Sequence, residues 1–311
     1  MAALKTTLGQ YGHTSAFLDG TVKAQGQDLE FIEVSPIIAA FRRMVRGLEF
    51  DVAEMAITTY LCAKAYGKPF TAIPVFPVRA FHHGAIAYNT KAGVNSPKDL
   101  EGKKVGVNRG YTVTTGLWIR GILQSEYGLD PSKVTWMLSG DEHVAEYEYP
   151  ANVVPIGEGK TLEEMLQSGE IAAAIGVSVD SEDVKPLIPD ARNTAFESFR
   201  KTGLYPINHT VVVKDEVLQA DPSVATALFD AFVAAKKLYL DRLAAGNDLS
   251  DADKAQLAIN EVVGPDPVPY GIGPNRQILE TVIQHAVDQK VIPQAFKVDE
   301  VFASNTLSLV G

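Results

Sequence analysis

Cysteine is nearly absent from this chain: Cys62 stands alone among 311 residues, which excludes an internal disulfide. It lies in Thr59-Tyr-Leu-Cys-Ala-Lys64, a helical stretch, and reads as a small buried apolar residue. Long apolar runs are missing as well. None approaches the roughly 20 residues of a membrane-crossing helix, so no membrane partner is expected. Positive charge is in deficit, with 28 Lys and Arg against 38 Asp and Glu and a net charge of −10. That balance argues against nucleic acid and anionic lipid surfaces as partners, although a local cluster of Arg and His can still attract a small anion. The first residues, Met1-Ala-Ala-Leu-Lys5, lack the apolar core of a secretion signal, and a cytoplasmic protein is the expectation.

Familiar chemical motifs are lacking too. No Walker-type phosphate loop is present, and Gly271-Ile-Gly273 has neither the preceding strand nor the third glycine of a dinucleotide fingerprint. Without a Gly-x-Ser-x-Gly turn, serine-hydrolase chemistry has little support. His82 and His83 are adjacent, a poor spacing for one metal ion, and no metal is assigned, although His13, His143 and His209 could still meet in the fold.

What is present is an ordinary 46% apolar fraction and enough length for two lobes. Strand and helix patterns alternate throughout, which indicates an α/β fold. Segment 29–34 alternates polar and apolar residues, and Ser35-Pro36 then opens a helix with Phe41, Met44, Val45 and Leu48 at helical spacing. Arg42 and Arg46 share one face of that helix, with Arg43 on the flank. Segments 52–57, 103–107, 134–137, 171–175 and 208–213 read as strands. Helices are expected after Thr58-Thr59, from Thr114-Thr115, after Thr161, over 222–242 and over 274–289. Segments 84–90 and 203–210 are the expected crossings. They place residues 1–88 and 207–311 in a discontinuous lobe I and residues 89–206 in lobe II, with a small-ligand cleft between the lobes.

The richest segment chemically is Arg79-Ala-Phe-His82-His83-Gly84, set between apolar runs that read as strands. A guanidinium there can hold an anion, and an imidazole can move protons near neutral pH. The plainer alternative is that Arg79 pairs with a surface carboxylate and one histidine packs. Helix N-termini at Thr58-Thr59, at Thr112, Thr114 and Thr115, and in Pro269-Tyr-Gly-Ile-Gly-Pro-Asn275 offer N–H donors for carboxylates, though ordinary capping explains most such threonines. Glu54 lies inside an apolar strand. It is either paired with an arginine such as Arg43 or held with a raised pKa. Asp141-Glu-His143 and Glu146-Tyr-Glu148 read as a solvated acidic loop.

Taken together, several stretches resemble the 4,5-dihydroxyphthalate decarboxylase family. They are Phe41-Arg-Arg-Met-Val-Arg46, Phe50-Asp-Val-Ala-Glu-Met-Ala56, Pro74-Val-Phe-Pro-Val-Arg79 with Phe81 and His83, and Trp118-Ile-Arg-Gly-Ile-Leu123. Thr202-Gly-Leu-Tyr-Pro-Ile-Asn-His209 and Asp266-Pro-Val-Pro-Tyr-Gly271 with Asn275 complete the set, so the resemblance covers nearly the whole chain. His82 departs from the family pattern, which usually carries Arg there, and Asn108-Arg-Gly-Tyr111 also differs from the usual form.

The resemblance implies a two-lobed, type II periplasmic-binding-protein-like fold and cofactor-independent decarboxylation of a hydroxylated aromatic dicarboxylate. Such chemistry needs a general acid, cations for the retained carboxylate and a partner for the phenol. On this reading His83 is the proton donor, His209 the second choice, and Glu54 an orienting carboxylate or phenol acceptor. Arg43 and Arg79 hold carboxylate, aided by Thr58, Thr59, His82, Thr114, Tyr270 and Asn275. The partner is a small aromatic carboxylate, and a homo-oligomer is compatible with the apolar helix over 222–242. The competing readings are a non-catalytic small-anion binding protein and an enzyme on the same fold acting on a pyridoxal- or pyrimidine-related compound.

Overall fold

The computed structural model describes residues 3–311, in which eleven strands alternate with eleven α-helices. The strands are β1 Leu4–Thr7, β2 Leu29–Phe31, β3 Val52–Ala56, β4 Phe70–Arg79, β5 Ile86–Asn89, β6 Lys104–Val107, β7 Thr135–Leu138, β8 Val153–Pro155, β9 Ala173–Ile175, β10 Val184–Pro186 and β11 Ile207–Lys214. The helices are α1 Ser15–Leu18, α2 Ile38–Gly47, α3 Ile57–Ala65, α4 Thr114–Tyr127, α5 Leu162–Ser168, α6 Ala191–Thr202, α7 Asp215–Ala220, α8 Ser223–Ala245, α9 Asp251–Val263, α10 Arg276–Asp288 and α11 Val298–Val301. Among the described residues, no helix is long and apolar enough to cross a membrane.

The chain divides into two compact units. The first holds the residues up to Arg79, Ile207–Thr281 and Phe296–Gly311; the second holds Ala80–Pro206 and Val282–Ala295. The first crossing therefore comes after Arg79 rather than after residue 88. The reason is pairing: β5 lies antiparallel between β9 and β10, in the second sheet. A further exchange at Thr281/Val282 falls inside α10, where an unbroken helix gives the sequence no mark of it.

The sheet of the first unit has the order β2-β1-β3-β11-β4, with β1 parallel to β2 and β3, and β11 antiparallel to both its neighbours. Val211, Val212 and Val213 of β11 are all buried, as expected for an interior strand covered on both faces. Its core joins Val52, Ile73, Val75, Val211 and Val213 to Leu228, Phe229 and Phe232 of α8. The second sheet has the order β10-β5-β9-β6-β7-β8, parallel from β9 through β8. Met137, Leu162, Met165, Leu166, Ile171 and Ala174 form a packed cluster beside it.

Helix α2 buries Ala40, Phe41, Met44 and Val45, the 3.6-residue stripe visible in its sequence. It starts at Ile38, three residues after the expected Ser35 cap; the Ser35–Pro36 peptide between them is cis. Helix α3 follows β3 with no loop, so Thr58 and Thr59 occupy its first turn, both buried.

Candidate active site

The register of the first sheet assembles its most unusual polar group. His209 on β11 lies opposite Ala56 of β3, and Val211 lies opposite Glu54. Residues two apart on a strand share a face, so Glu54 and His209 are diagonal neighbours within reach of each other. The His209 imidazole stands with Nδ1 2.5 Å from Glu54 Oε1. Glu54 is wholly buried, whereas the His209 side chain keeps 14% of its surface exposed. Phe41 of α2 packs edge-on to the imidazole at 5.0 Å.

Two further donors come from the segment after β1. The Gly9 N–H donates to Glu54 Oε2 at 2.7 Å, and the Tyr11 hydroxyl donates to Oε1 at 2.7 Å. Three donors on one carboxyl group match an ionised, acceptor-only carboxylate. The expectation that Glu54 pairs with Arg43 is therefore corrected. Arg43 lies on the exposed side of α2, where Glu49 engages it through both guanidinium and carboxylate forks and the Phe50 ring lies beneath it.

Burial, then the charge and hydrogen bond of Glu54, keep the Tyr11 phenol well above its ordinary pKa and therefore neutral. Its ring stacks on His13 at 5.5 Å. The His13 Nε2 meets the Pro77 carbonyl at 2.9 Å, and burial pulls this histidine down to about 4. Gly9 and Tyr11 also line a cavity of about 460 Å³, together with Leu8, Phe31, Glu33 and Ser35. No lysine or arginine is among the residues lining it.

At the end of β4, the Arg79 guanidinium hydrogen-bonds the Asn275 side-chain oxygen and the Pro269 carbonyl, the latter at 3.3 Å. Asn275 is itself fixed by donating to Pro269 and Gly271 carbonyls at 2.8 and 2.7 Å. Gly271 adopts φ +95 and packs so tightly that a Cβ would meet the Leu309 carbonyl oxygen at 2.2 Å. Tyr270 is fully buried against Phe229, Phe232 and Lys236. Burial first, then the charge of Asp266, raises its phenol pKa, while Arg79 opposes the rise. Arg79, Tyr270 and Asn275 are thus brought together in the first unit.

His82, His83 and Thr114 belong to the second unit. His83 is buried, with Nε2 3.1 and 3.2 Å from the two oxygens of Glu126 on α4; its Nδ1 is buried and has no hydrogen-bond partner among the described residues. Ser198 of α6 donates to the same carboxylate at 2.8 Å. Burial alone would raise the Glu126 pKa, but His83 and Ser198 more than offset it and hold the carboxyl below its usual range.

The acidic loop is the clearest correction. Glu142 turns inward, accepting from the Tyr111 N–H, the Thr112 N–H at 3.2 Å and the Thr112 hydroxyl at 2.5 Å. Burial raises its pKa despite those donors. Gly110 admits it, since a Cβ there would lie 2.5 Å from the carboxylate. The donors ahead of Thr114 thus already hold a carboxylate of the chain itself. Among the described residues, no group of three or more His, Cys, Asp or Glu is arranged to hold a metal ion.

Tyr11 and Gly9 escaped the sequence reading. The signal was Gly9-Gln-Tyr-Gly12, two glycines around an aromatic residue, following a strand too short and polar to recognise. Glu126 was hidden because nothing local links it to a histidine 43 residues earlier.

Comparison with known proteins gives these features a context. Residues 23–237 match the family model described as NMT1/THI5 like. The chain is 32% identical over 299 residues to a Comamonas testosteroni protein named 4,5-dihydroxyphthalate decarboxylase, covering 89% of each. A Pseudomonas putida protein of the same name is 36% identical over 181 residues, or 56% of this chain and 69% of that one. A Candida albicans protein described as having the generic periplasmic binding protein fold superposes with a TM-score of 0.55 at 14% identity, covering 100% of this chain and 99% of the other. The fold is accordingly the two-lobed α/β type of the periplasmic binding proteins, and the chain belongs to the NMT1/THI5-like group and to the 4,5-dihydroxyphthalate decarboxylase family.

Proposed function

We propose that the protein is a cofactor-independent decarboxylase that converts a hydroxylated aromatic dicarboxylate, such as 4,5-dihydroxyphthalate, to protocatechuate and carbon dioxide. Support comes from the names of the two relatives and, in this chain, from a histidine held by a buried carboxylate whose other two donors, Gly9 and Tyr11, line a cavity. The cavity volume of about 460 Å³ falls within the range of roughly 300–1,000 Å³ typical of small-molecule sites.

The chemistry follows from the ring. A hydroxyl para to the departing carboxylate pushes electron density onto the carbon that bears it. A proton adds to that carbon and aromaticity is lost. The carbon–carbon bond then breaks, its electron pair returns to the ring, and carbon dioxide leaves. One proton is consumed for each carboxylate lost. The acid must therefore be recharged, from the solvent or from the phenol.

His209 is the proton donor in this reading, ahead of His83. Its Nδ1 is committed to Glu54, so Nε2 is the nitrogen that delivers the proton, and part of the ring meets solvent. With Nδ1 held by the buried Glu54 carboxylate, Nε2 is left to take up and pass on the proton that the ring carbon needs. The candidate cation for the retained carboxylate is Arg79, which Asn275 orients at the end of β4 and which is not among the residues lining the cavity.

The test is incubation with 4,5-dihydroxyphthalate, with and without a chelator, following carbon dioxide and protocatechuate. Release of both in equal amounts is expected. Tight binding with no product would instead favour a small-anion binding protein, a role compatible with the fold.

A further inference from the structure

Glu54 can orient His209 only if something fixes the carboxylate, and its partners come from one short segment. Tyr11 donates to Oε1, the same oxygen that faces His209, and the Gly9 N–H donates to Oε2. Gly9 has a second task. A Cβ on it would lie 2.3 Å from the Tyr11 hydroxyl oxygen and 2.5 Å from the ring carbon that bears it. Contacts below about 3.0 Å essentially do not occur for real Cβ atoms, so the absence of a side chain at Gly9 is what lets the phenol reach Glu54.

From this geometry we infer that Tyr11, admitted by Gly9, is a positioning residue. Its hydroxyl sets the Glu54 carboxylate so that Glu54 holds the His209 Nδ1 and turns Nε2 toward the ligand. The inference rests on the decarboxylase reading for its kinetic consequence but not for its structural one. The phenol stays neutral, as a donor must, because burial and the Glu54 charge keep its proton on. The titratable and charged groups around this chain of bonds are few. His13 stacks on Tyr11 and is neutral, and Tyr270 senses the Glu54 charge together with those of Arg79 and Asp266. Phe41, the ring against His209, carries no charge.

Tyr11→Phe deletes one oxygen and keeps the ring on His13. Two readouts separate positioning from bulk structure. The first is the nitrogen chemical shifts of His209 in protein labelled at histidine, which report which ring nitrogen carries the proton and need no substrate. The parent should show a protonated Nδ1 held in a strong hydrogen bond, and Tyr11→Phe should shift that signal toward a weaker bond and a mixed tautomer. The second is turnover of 4,5-dihydroxyphthalate, where kcat should fall about tenfold with KM nearly unchanged. Gly9→Ala, which pushes the phenol away, should reproduce the same His209 change. An unaltered His209 signal in both folded variants would overturn the inference. A parent protein that lacks turnover but shows the His209 shift in the variants would overturn only the reaction.

Discussion

His209 and Glu54 sit on different strands, 155 residues apart, and meet with Nδ1 2.5 Å from Oε1. The pair exists because β11 lies between β3 and β4, with His209 opposite Ala56 on one side and Val78 on the other. A carboxylate with no solvent exposure would be costly alone. Three donors, the imidazole among them, make it tolerable.

Glu54→Gln keeps the shape but replaces one acceptor oxygen with an NH2 group, which must face at least one of the three donors. Turnover should drop in kcat, and His209→Gln should cost the roughly 10²–10⁴-fold of a general acid. Steady-state kinetics beside a thermal melt distinguishes lost chemistry from lost folding. A His209→Gln enzyme with parental kcat would remove the imidazole from the acid role.

His83 gives the opposite expectation. Its Nε2 is held by Glu126 and its Nδ1 is buried without a partner, so its contribution is to the packing of the second unit. Glu126→Gln and His83→Gln should lower the unfolding midpoint, with kcat staying within about tenfold of the parent, because breaking one buried polar contact costs about 1–3 kcal/mol. A far larger loss in a fully folded His83→Gln protein would restore it as the donor.

His13 sets a pH dependence of stability. Its folded-state pKa is about 4 against an ordinary 6.5, because burial favours the neutral ring. Between those values the unfolded chain binds more protons, so stability is full above pH 6.5 and falls as the pH drops toward 4. The loss is about 3 kcal/mol for this single group. Urea unfolding across pH 4 to 7 should show the decline, and His13→Gln, which can still donate to Pro77, should flatten it.

Gly110→Ala tests the inward carboxylate. Its new methyl would sit 2.5 Å from the Glu142 carboxylate, forcing the loop or Glu142 to move. A loss of about 1–3 kcal/mol in equilibrium unfolding is expected, as for other overpacked sites. An unchanged midpoint would mean that Glu142 leaves its nest easily.

Periodicity made the elements legible and pairing made the site illegible. The stripe of Phe41, Met44 and Val45 marked α2, and the run of Val211, Val212 and Val213 marked a strand, because both patterns are local. Glu54 stood out as a carboxylate within an apolar strand, and His209 as an imidazole near the return crossing. Their union did not, since strand register is a long-range property. Glu142 failed for a related reason: an acidic loop looks solvated until the backbone N–H groups that claim it are known. Ser35-Pro36 looked like a helix start, yet α2 opens at Ile38.

The place of β11 has a consequence in time. Until residues 207–214 leave the ribosome, β3 and β4 lack the strand that belongs between them, and both present open edges. All of Ala80–Pro206 is synthesised during that wait. The nascent first sheet therefore keeps two open edges through that interval, and its last strand to arrive also delivers the histidine.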